Sequence, residues 1–134
     1  MRALSGAISA PMLQLAGFSV ILEGTCLRYG TDLIALDAPC SGVRMLWAGL
    51  FLAFNAAWVY RLSAPKTLLA AAISVVIVIC ANGIRAAALF FVEMSPDSAG
   101  TWPHDGVGLV IFGATAILLI RVAQRLGGIA KCAT

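Results

Sequence analysis

A thiol, a guanidinium and an imidazole are the working parts of a cysteine acyl-transfer site. The thiolate attacks a carbonyl, a fixed cation or amide dipole holds the developing oxyanion, and a base that titrates near neutrality moves the protons. In this chain Cys40, Arg85 and His104 offer that set from three separate segments, each beside one end of an apolar run. The local spacing around each of them decides whether the set is more than a coincidence of residue types.

Cys40 stands in Ala38-Pro39-Cys40-Ser41-Gly42-Val43-Arg44. Pro39 ends an extended stretch and an apolar helix begins within a few residues, so the thiol falls near a helix N-terminus. The positive dipole end there favours a thiolate. Arg44, one turn on, adds a positive charge, while Ser41 and Gly42 leave room for a substrate backbone and offer amides to an oxyanion. A buried, inert cysteine at a loop–helix junction is the competing interpretation.

Asn82-Gly83-Ile84-Arg85 comes next. Counted from Lys66 at about 1.5 Å per residue, Arg85 lies nearly 30 Å along its helix, close to a membrane boundary. Asn82 and Arg85 share a face, and Gly83 permits close helix contact. An arginine inside a bilayer costs about 2–3 kcal/mol at the centre and less at the edge, so it marks a functional site unless it snorkels to lipid phosphate. The only histidine, His104, leads Asp105-Gly106-Val107-Gly108 toward Phe112. His104, Gly108 and Phe112 recur every fourth residue and form one helical stripe, with Asp105 a candidate cap. A lone histidine in a polar loop is ordinarily a surface residue; its weight here comes from convergence with the other two motifs.

The elements that must position these groups are membrane helices. The chain has 134 residues, 61% hydrophobic and only 11% charged, enough for a single domain over 1–134. Soluble domains carry roughly 25% charged residues, which places this chain in the all-α integral membrane class. Four apolar runs approach bilayer length: 3–22, 43–60, 67–92 and 106–123, the last extending past a snorkelling Arg121. The net charge of +3 is scattered, which argues against a nucleic-acid partner.

Charge also sets sidedness. Arg2, Arg61, Lys66, Arg121, Arg125 and Lys131 flank one set of ends, so the positive-inside rule predicts four transmembrane helices with both termini cytoplasmic. Cys40, Arg85 and His104 then share the extracytoplasmic face of a multi-pass protein of the cell membrane. The first run also fits a signal peptide, although hydrophobicity continuing through Phe18 to Leu22 favours a retained helix. Between the first two runs, short apolar stretches around Gly30 predict a small β-hairpin in the first outer loop. Four cysteines show no metal-ligand spacing, so neither metal nor cofactor is expected. A Cys26–Cys40 disulfide stays open, against the use of Cys40 as a free thiol.

Taken together, the cysteine block, the Asn82/Arg85 pair and His104 with Gly108 and Phe112 resemble the exosortase/archaeosortase family of membrane cysteine transpeptidases, over roughly residues 23–120. The resemblance implies a catalytic Cys40, Arg85 and His104, supported by Ser41, Gly42, Arg44, Asn82 and Asp105. It implies, as partner, a membrane-tethered protein substrate whose C-terminal sorting signal has a short motif, a helix and a basic tail. Family members commonly carry more membrane helices than this sequence has apolar runs, which leaves room for a second copy or a partner subunit. The rival reading is a non-enzymatic four-helix scaffold or assembly subunit. A transporter is disfavoured because spans two and four hold few midplane polar groups, Asn55 being the main one.

Overall fold

The computed structural model describes residues 2–24, 26–30, 32–35, 42–93 and 102–127, with side chains except at 2, 32–35, 93 and 102–104. Within them the chain order is α1 (Arg2–Leu15), β1 (Val20–Glu23), β2 (Cys26–Tyr29), β3 (Asp32–Ala35), α2 (Val43–Val59), α3 (Ala64–Glu93) and α4 (Trp102–Gly127). Two helices are long and apolar enough to cross a membrane, over Ala64–Val92 and Asp105–Gly127; Ala3–Leu15 and Val43–Val59 are shorter apolar helices.

The first apolar run does not form the single helix expected from Ala3 to Leu22. It stops at Leu15 because Gly17 takes a left-handed φ of 92°. Gly17 N–H then donates to the Gln14 carbonyl and Phe18 N–H to the Leu13 carbonyl, both at 3.0 Å. That pair of bonds satisfies the last carbonyls of the helix and turns the chain out of it. Phe18 packs back on the cluster that holds Leu13, and Val20–Glu23 continues as a strand. The segment after α1 is therefore a three-stranded antiparallel meander in the order β1-β2-β3, with Val20 opposite Tyr29 and Tyr29 opposite Asp32. Gly30, at φ 59°, serves the β2–β3 turn.

The α2–α3 connection uses the same device without a glycine. Arg61 sits at φ 50°, its N–H reaches the Trp58 carbonyl, and Leu62 N–H reaches that of Ala57 at 2.9 Å. Pro65 follows in the first turn of α3, where a missing N–H removes no helix bond.

Helix α3 is the spine. On one side α1 runs alongside its C-terminal half: Asn82 Nδ2 donates to Ser5 Oγ, and Ile8 lies against Gly83, where a Cβ would meet the Ile8 Cβ at 2.7 Å. Ala10, Leu13, Val20, Leu27, Ala86, Ala87 and Phe90 then close a core between α1, the sheet and α3. Phe18, Tyr29, Phe90 and Phe91 cap it with edge-to-face ring contacts at 5.3–5.8 Å. On the other side Met45, Val78 and Ala81 form the α2–α3 core, with Leu46 and Ile111 against it. Gly49 lets these helices approach, since a Cβ there would fall 2.6 Å from Val78 Cγ2.

Polar contacts fix the far end of the bundle. Lys66 Nζ donates to the Leu126 carbonyl, and Gln124 Nε2 to the Tyr60 hydroxyl, each at 2.9 Å. The end of α4 therefore sits beside the end of α2 and the start of α3. It follows that α2 and α4 run parallel to each other and antiparallel to α3. Large apolar side chains cover the lateral surface, among them Trp47, 72% exposed, and Trp58, 83% exposed. So broad an apolar surface suits lipid rather than water.

Candidate active-site cleft

The opposite end of the bundle is where α2 and α4 begin and the second half of α3 passes between them. Gly42 opens α2 in a left-handed conformation (φ 70°, ψ −5°), and its carbonyl accepts from Leu46 N–H at 2.9 Å. Having no side chain, Gly42 gives the first-turn amides of α2 no cap. Its Cα rests against Asn82: a Cβ would lie 2.7 Å from Asn82 Nδ2 and 2.8 Å from Cγ. No other residue type satisfies both the backbone angle and the space.

One turn beyond Asn82, the half-buried Arg85 extends toward α4. Its guanidinium lies against Gly108, where a Cβ would meet Nη2 at 3.2 Å, Nε at 3.3 Å and Cζ at 3.4 Å. Both glycines are thus gaps through which α3 presents a polar side chain to a neighbouring helix. Arg85 lines a cleft of about 370 Å³ together with Arg44, Met45 and Ala48 of α2 and Asp105, Gly108, Leu109 and Phe112 of α4. Among the described residues two cations and one anion line it, a positive balance. Among the described residues no cluster of three or more His, Cys, Asp or Glu side chains could hold a metal ion.

Several expectations can now be placed. Arg44, Arg85 and Asp105 share the cleft, and Gly42 touches Asn82. Asp105 lies inside the first turn of α4, which begins at Trp102, instead of capping the helix from outside. His104 belongs to that same turn, four residues before Gly108; its side chain lies outside the described residues, as do Cys40 and Ser41. Cys26 is half-buried and Cys80 exposed; the Cys26–Cys40 pairing lies outside the described residues, through Cys40. The residue that sequence reasoning missed is Ser5, the buried partner of Asn82. A serine in an apolar helix gives no signal of its own, and only the packing of α1 on α3 reveals it.

A family model described as transmembrane exosortase matches residues 1–121 of the chain. Searches among curated proteins and among solved structures each found no match.

Proposed function

The chain belongs to the transmembrane exosortase family, and from that premise we propose that it is a membrane-embedded cysteine peptidase or transpeptidase acting on the sorting signals of secreted proteins. The observation that carries this reading is the seating of the Arg85 guanidinium against Gly108, in a cleft that also receives Arg44 and Asp105. It supports a site in which groups from three helices act on one amide.

In this mechanism the Cys40 thiolate attacks the carbonyl of a membrane-tethered substrate. Cys40 precedes Gly42 by two residues, so chain connectivity holds it within about 7–8 Å of the Gly42 Cα. The first-turn amides of α2 and the Arg85 guanidinium stabilise the tetrahedral oxyanion. Collapse breaks the C–N bond and forms a thioester, while His104 donates a proton to the departing amine. His104 then takes a proton from the incoming nucleophile, which expels the thiolate: water yields hydrolysis, and an amine or hydroxyl yields transfer. Arg44 favours the thiolate, and Ser41 with Gly42 leaves space for the substrate backbone.

The topology that serves this chemistry places the basic ends of α2, α3 and α4, marked by Arg61, Lys66, Arg121 and Arg125, on the cytoplasmic side, with the cleft at the outer face. Helix α1 supports only part of the four-span expectation. Its 14 residues extend about 21 Å, short of a hydrocarbon core of about 30 Å, and its start lies beside the middle of α3 instead of the basic end.

The test is replacement of Cys40 by alanine in cells, followed by the molecular weight of membrane-tethered proteins that carry a motif, a helix and a basic tail. Accumulation of unprocessed precursor is expected. Unchanged processing would reject the enzyme and favour the scaffold reading.

A further inference from the structure

Asn82, one turn before Arg85 on α3, also reaches both α1 and the start of α2. Its amide nitrogen donates to Ser5 Oγ of α1 while its amide group packs against the Gly42 Cα. Ser5 and Asn82 are each only 3% exposed, so this polar pair is shielded from solvent. Such a pair holds its geometry because any displacement leaves a buried amide or hydroxyl poorly bonded. The neighbouring Ile8–Gly83 approach fixes α1 on α3 at the same level, which leaves Ser5 little freedom to follow a moving Asn82.

We propose that Ser5 is a positioning residue: by holding Asn82 it fixes Gly42, the start of α2, and so the placement of Cys40 two residues upstream. The inference rests on Cys40 being the nucleophile. The chain of cause is short. Ser5 sets the rotamer of Asn82; Asn82 sets how closely Gly42 can approach α3; Gly42, in its left-handed conformation, is the entry to α2 and stands two residues after Cys40. Cys40 keeps the benefit of the α2 N-terminus only while that junction is held, because a helix-end field acts over no more than the first turn.

The experiment uses the full chain in detergent micelles and iodoacetamide as the probe, with alkylation of each cysteine followed by mass spectrometry across a pH series. In the unmodified chain Cys40 should react faster than Cys26 at neutral pH. Ser5→Ala should slow Cys40 by roughly two- to fivefold, the range a helix-end field supplies, and move its profile to higher pH. Cys26 should keep its rate, as a report of intact folding. Asn82→Ala should slow Cys40 at least as much, and Ser5→Ala added to it should change nothing further, because Ser5 acts through Asn82.

Ser9→Ala is the control for losing a buried hydroxyl from α1. Ser9 Oγ donates within its own helix to the Gly6 carbonyl at 3.3 Å, so this variant should leave Cys40 at its original rate. Three results overturn the inference: no effect of Ser5→Ala, an equal effect of Ser9→Ala, or independent effects of Ser5→Ala and Asn82→Ala. A Cys40 no more reactive than Cys26 in the unmodified chain would instead remove the nucleophile on which the inference stands.

Discussion

Replacing Gly42 by alanine separates the two constraints that meet at the start of α2. The first is the backbone: at φ 70° an alanine pays about 1–2 kcal/mol that glycine does not. The second is space. The new Cβ would lie 2.7 Å from Asn82 Nδ2, a contact that cannot stand, and Asn82 cannot withdraw without disturbing its bond to Ser5. Weakening a buried amide–hydroxyl bond costs about another 1–3 kcal/mol. The expected destabilisation of Gly42→Ala is therefore about 2–5 kcal/mol, measured as the change in unfolding free energy in detergent micelles. Gly113→Ala gives the opposite reference. It lies in α4 at ordinary helical angles with open space where a Cβ would go, and should stabilise by about 0.5–1 kcal/mol.

The two costs are separable in an Asn82→Ala background. There the steric clash is gone and only the left-handed backbone remains, so Gly42→Ala should cost about 1–2 kcal/mol. If the substitution costs the same in both backgrounds, Asn82 does not press on Gly42 and the reasoning about this junction is wrong. If it costs less than about 0.5 kcal/mol in the unmodified chain, the left-handed start of α2 is wrong as well.

Other substitutions test other parts of the molecule. Arg85→Ala should lower processing by about 10²–10³-fold if the guanidinium holds an oxyanion; Arg85→Lys should restore little, since an ammonium cannot reproduce the planar fork, and full activity with lysine would reduce Arg85 to a charge. Gly108→Leu should displace the guanidinium from the cleft and give the Arg85→Ala rate with the helices intact by circular dichroism; unaltered processing would show that Arg85 works from another position. Arg61→Gly should relieve the left-handed residue after α2 and stabilise the fold by about 1 kcal/mol in the same unfolding measurement, and a loss of stability would contradict the turn geometry.

How much of this was legible depended on whether a feature repeats along the chain or arises between segments. The long helices α3 and α4 were legible because uninterrupted apolar residues with basic flanks leave little alternative, and helical spacing put Gly108 and Phe112 on one stripe; that Arg85 packs against Gly108 came only from the packing of α3 on α4. The end of α1 carried a signal that the apolar run masked: Gly17 is the residue a helix terminus uses, and hydrophobicity on both sides of it concealed the change from helix to strand. The start of α4 at Trp102 was hidden by Pro103, which is tolerated in a first turn although it suggests a loop. The Ser5–Asn82–Gly42 contact was not legible at all, because the partners are far apart in the chain and none of the three types is unusual where it stands.

The direction of the helices adds an electrostatic argument that no single residue supplies. Because α2 and α4 run parallel, both present N-termini at the cleft end, each equivalent to roughly half a positive charge. Arg44 and Arg85 add to that field, and Asp105, in the first turn of α4, offsets part of it. Such a field stabilises anions that form readily, which describes a thiolate and a tetrahedral oxyanion. It does not ionise a hydroxyl, whose proton is far too tightly held to be released without a strong adjacent base. Cys40→Ser should therefore be nearly as inactive in substrate processing as Cys40→Ala, despite keeping size and hydrogen bonding. A serine variant that retained substantial processing would mean that a general base, not the field of the helix ends, activates the nucleophile, and would shift the main catalytic burden from Arg44 and the α2 terminus to His104.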